Sequence, residues 1–115
     1  MSVASNFAES LRIALERLDE DEWAVVRARE AVTHGLLPSE AFENIVEVLG
    51  VAARQSDPYA FAHCCWAAID LARHADTTQR PTGLDETLAL LDPRAQALGC
   101  TKDLAEIRKW FRIAA

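Results

Sequence analysis

"SDPYAFAHCCWAAIDLARHA", residues 56–75, decides the fold. Asp57 and Pro58 form a helix start. A carboxylate there accepts the free N–H groups of the first turn, and proline loses nothing at the first helical position because its missing N–H would have no partner. No glycine or proline follows before Ala75. At about 100° per residue, Phe61, Cys64, Cys65, Ala68, Ile69, Leu71, Ala72 and Ala75 fall on one broad side. Tyr59, His63, Trp66, Asp70, Arg73 and His74 fall on the other.

The same stretch holds two of the three histidines and two of the three cysteines. The wheel points both cysteines away from both histidines, so no Cys–His dyad or joint metal site forms within this helix. The spacing also lacks the Cys-x₂-Cys pattern of zinc modules. Cysteine behaves as a small apolar residue and is often buried, so Cys64 and Cys65 read as core. His63, Asp70 and His74 do share a face, and Glu30 and His34 form a similar i,i+4 pair. Acid–histidine sets on facing helices can bind metal, but such a pair is ordinarily a solvated surface contact. Neither a metal nor a cofactor is expected.

Outward from this helix, the rest of the chain reads as helix too. Helix one is expected at about 7–18, opened by Asn6 with Glu9, and residues 1–5 as disordered. The run "DEDE" (19–22) opens helix two at about 21–33, where acids suit the positive dipole end. Ser39 caps helix three, about 40–54. The longest loop signal is 76–83. Helix five spans about 84–91, a short helix or turn follows at 92–99, and Thr101 caps a last helix at about 102–113. The expectation is an all-α fold: one compact domain over 1–115, a bundle of five to six helices, with HEAT-like helical hairpins as a variant. That variant rests on Trp23, Trp66 and Trp110, spaced 43 and 44 residues apart, close to the period of two-helix repeats. The flanking residues do not match.

The composition fits. Half of the 115 residues are hydrophobic, 21 are alanine, and only 4 are glycine and 4 proline. Alanine favours helix and breakers are few. The 10 Arg against 2 Lys would suit a GC-rich bacterial or phage genome. No stretch approaches the roughly 20 apolar residues of a membrane span, and the start has no leader-like pattern. Three cysteines leave an odd one, which fits reduced thiols in the cytoplasm.

Net charge is −6 and lies entirely in residues 1–57, with 11 acids against 5 arginines; residues 58–115 carry 7 of each sign. Phosphate contacts need a basic surface, so direct nucleic-acid binding is not expected and a protein with a basic surface is the better partner. No phosphate loop, nucleophile elbow or His-Glu-x-x-His is present, so no enzyme is expected and no catalytic residue is assigned. Trp23 and Trp66 stand on the polar sides of their helices. Two-sided burial explains them plainly; an interface, where Trp, Tyr and Arg concentrate, explains them functionally.

The candidate partner-binding residues are Asp19, Glu20, Asp21, Glu22, Trp23, Tyr59, His63, Trp66, Asp70 and Arg73. The leading expectation is a small acidic inhibitor or adaptor, akin in class to immunity proteins, antitoxins or anti-defence factors. A nucleic-acid mimic needs Glu40, Glu43 and Glu47 on the same surface as residues 19–22. The alternatives are a metal or small-molecule site at His63, Asp70 and His74, or a self-associating subunit, possible as a homodimer.

Overall fold

Asp57 caps the long helix as its sequence predicts: its Oδ1 accepts from the Tyr59 N–H at 3.2 Å, and the helix runs Pro58–Ala75. Asp76, in the left-handed region at φ 54°, ends it. The computed structural model describes residues 2–113. Six helices follow in order: α1 (Val3–Glu16), α2 (Ala24–Glu30), α3 (Pro38–Gly50), α4 (Pro58–Ala75), α5 (Leu84–Leu98) and α6 (Thr101–Trp110). Short 3-10 turns extend α2 over Ala31–Thr33 and α3 over Val51–Arg54. No strand occurs among the described residues.

The helices pair in chain order as α1–α2, α3–α4 and α5–α6. Neighbouring hairpins then meet like with like. The first helices α1, α3 and α5 pack side by side, and so do the second helices α2, α4 and α6. The result is two layers, and the molecule measures 40 × 34 × 20 Å, its thin dimension matching two helix diameters of about 10 Å each. Side-chain contacts set the directions. Arg29 meets Trp66 and Leu36 meets His74, while Trp66 meets Asp103 and Arg73 meets Trp110. Hence α2, α4 and α6 run parallel.

These contacts give the stack a lateral register. Arg29–Trp66, Trp66–Asp103 and Arg73–Trp110 all join positions 37 residues apart. The helical-hairpin variant of the fold is therefore the arrangement present, but the tryptophans do not mark it. Trp23 stands just before α2, Trp66 in the middle of α4 and Trp110 at the end of α6.

α4 lies at the centre. Ala60, Phe61, Ala62, His63, Cys64, Cys65, Ala67, Ala68, Ile69, Leu71 and Ala72 are all buried. Its many alanines let α2, α3 and α6 approach on three sides, since interaxial distance follows side-chain size. Phe7, Leu11, Val25, Ile45, Leu49, Leu88, Leu91, Leu104 and Ile107 complete the core around it.

Several expected boundaries shift. Ser2, not Asn6, caps α1: its Oγ accepts from the Ser5 N–H at 3.0 Å. Starting there buries Ala4 on the stripe of Phe7 and Leu11, so residues 3–5 are helical rather than disordered; Met1 lies outside the described residues. α3 begins at Pro38, with the Glu40 carboxylate, not Ser39, accepting from the Leu37 N–H at 2.8 Å.

The largest shift is in α5, which continues through Asp92–Pro93 to Leu98. Its apolar stripe of Leu84, Leu88, Leu91 and Ala95 keeps helical spacing across the proline. Pro93 and Ala89 are both exposed, so the carbonyl that loses its N–H partner faces water. Replacing Pro93 with Ala restores that bond without touching the core. Pro93→Ala should raise stability by about 1–2 kcal/mol, less than the full helix-propensity gap because the unfolded chain also gains freedom. A denaturant midpoint equal to or below wild type would show that the proline costs this helix nothing.

Candidate interaction surface

The polar side of α4 becomes a seam between α2 and α6. Tyr59, His63 and Trp66 stack along it edge-to-face, with ring centroids 4.5 Å and 4.7 Å apart. Tyr59 and Trp66 keep 38% and 36% of their surface exposed. Arg29 of α2 lies over the Trp66 ring at 5.5 Å. The Trp66 Nε1–H donates to Asp103 Oδ1 of α6 at 3.0 Å. Further along, Asp70 pairs with Arg29 at 3.2 Å and more loosely with Arg73 at 3.8 Å. Arg73 in turn lies over Trp110, whose Nε1–H donates to the Thr77 carbonyl.

Between these side chains runs a shallow groove of about 250 Å³, lined by Arg29, Trp66, Ile69, Asp70, Arg73 and Glu106. It draws on α2, α4 and α6 together. Burial pushes the Asp70 carboxyl above its ordinary range, and Arg29 and then Arg73 pull it partly back.

Of the predicted contact residues, Tyr59, Trp66, Asp70 and Arg73 thus come together, and sequence reasoning missed Arg29, Asp103 and Glu106. Arg29 and Asp103 stand 37 residues to either side of Trp66, but that register shows only in contacts between helices, so no signal in the sequence marked these residues. His63 is a correction. It is only 2% exposed, and it works as the buried rung between Tyr59 and Trp66. Its Nδ1 has no hydrogen-bond partner among the described residues. The three members of the alternative metal set also separate: His63 is buried, Asp70 holds Arg29, and His74 donates to the Leu36 carbonyl at 2.7 Å.

Burial, then the Arg29 charge, lowers the His63 pKa from 6.5 to about 4. Between those values the unfolded chain binds a proton that the native state refuses, so stability falls as pH drops through that window. The loss should reach about 2–3 kcal/mol at pH 4.5. His63→Phe keeps an edge-to-face ring and should flatten this part of the profile. Parallel stability curves for wild type and His63→Phe from pH 7 to pH 4.5 would remove His63 as the cause.

The acidic run forms a turn rather than a helix start. Asp21 accepts from the Trp23 N–H at 3.1 Å and pairs with Arg27, which hold its carboxyl below the ordinary range, Arg27 most strongly. α2 begins only at Ala24. Asp19, Glu20 and Glu22 are exposed, and Trp23 is 60% exposed. Trp23 lies six residues before Arg29, roughly 9 Å of helix rise toward the end where α4 starts. The acidic turn, Trp23 and Tyr59 therefore share one end of the molecule. Glu40 opens α3 at the opposite end, so the seven carboxylates of the mimic do not gather into one patch.

The thiols are inert core. Cys64 is pushed up to about 12 by burial, Cys65 is raised further by burial and by Asp103, and both are fully buried. Cys100, at the start of α6, is also buried and donates to the Pro58 carbonyl at 3.4 Å. No described helix is long and apolar enough to cross a membrane. No family model matches the chain, and no curated protein or solved structure is detectably similar to it.

Proposed function

We propose that this chain is a non-enzymatic interaction module that binds a partner protein with a basic surface and blocks or adapts it. The observation that carries the reading is the exposed groove across α2, α4 and α6, lined by Trp66, Arg29 and Arg73. Stacked-hairpin proteins present such continuous faces to their partners. Exposed Trp, Tyr and Arg with fixed partners lose little freedom on binding, and these residue types carry most interface energy. The basic character of the partner rests on the net charge of −6 and on the acidic turn at one end of this face. Charge steers the encounter, the aromatic seam supplies the affinity, and occlusion of the partner's basic surface is the mechanism. An inhibitor of the immunity-protein, antitoxin or anti-defence type is the class this mechanism fits, in a cytoplasmic setting.

The test is affinity capture from the source cells at low and at moderate salt. Wild type is compared with a variant carrying Asp19→Asn, Glu20→Gln and Glu22→Gln, which leaves the Asp21–Arg27 pair in place. One basic protein in stoichiometric amount, captured less well by the variant and at higher salt, is expected. A partner retained equally by both proteins at both salts, or no specific partner at either salt, counts against the reading.

A further inference from the structure

We draw no further inference here: the strongest candidate, the groove between α1 and α2 lined by Phe7, Ser10, Ala24, Ala28 and Ala31, is an unpartnered apolar face, and nothing in the structure shows what covers it.

Discussion

Phe61→Ala should destabilise the protein by about 3–5 kcal/mol. Phe61 is fully buried on α4, the helix that contacts each of its neighbours. The substitution leaves a void that the surrounding backbone has little freedom to fill, because α4 is already packed closely through its alanines. A domain of this size has about 5–15 kcal/mol in total, so the change removes a large part of it. The thermal midpoint should fall by on the order of 15 °C. An equivalent truncation at Leu90, which is 71% exposed on α5, should shift it by at most a few degrees. Equal losses at the two sites would mean that α4 is not the centre of the stack.

Trp66→Ala should weaken partner binding by about a hundredfold while leaving a folded chain. Three supports converge on this ring: Arg29 over one face, His63 against an edge, and Asp103 on its N–H. Removing it deletes apolar contact area and releases both charged neighbours. Trp66→Phe separates these effects, since it keeps a ring for Arg29 but leaves Asp103 without its donor. An intermediate loss is expected for Trp66→Phe. Circular dichroism identical to wild type is the control, and unchanged affinity of Trp66→Ala would remove Trp66 from the interface.

The helical content was legible because its signals are local. Asp57–Pro58 opens α4 where the sequence places it, and the 76–83 segment is the loop it reads as. The same dipeptide at Asp92–Pro93 misleads, since a capping rule sees only its own turn. The continuous stripe from Leu84 to Ala95 outweighs one missing bond that faces water. Tryptophan spacing misleads for a similar reason. Connections of unequal length displace equivalent positions along the chain, and the true register of 37 residues emerges only from contacts between neighbouring helices.

The candidate surface was legible in part. Helical spacing alone puts Tyr59, Trp66, Asp70 and Arg73 on one face of α4. A helical wheel cannot say how many neighbours cover that face, so His63 reads as exposed and is in fact buried. Nor can it supply Arg29, Asp103 or Glu106, which enter from helices distant in sequence.

The most direct measurement maps the captured partner on the ¹⁵N-labelled chain by amide and indole shift changes. Changes are expected to centre on Arg29, Trp66, Arg73 and Glu106 and to extend to Tyr59, Trp23 and the 19–22 turn. Changes confined to the outer surface of α1, α3 and α5, around Glu43 and Leu90, would contradict the proposed interface.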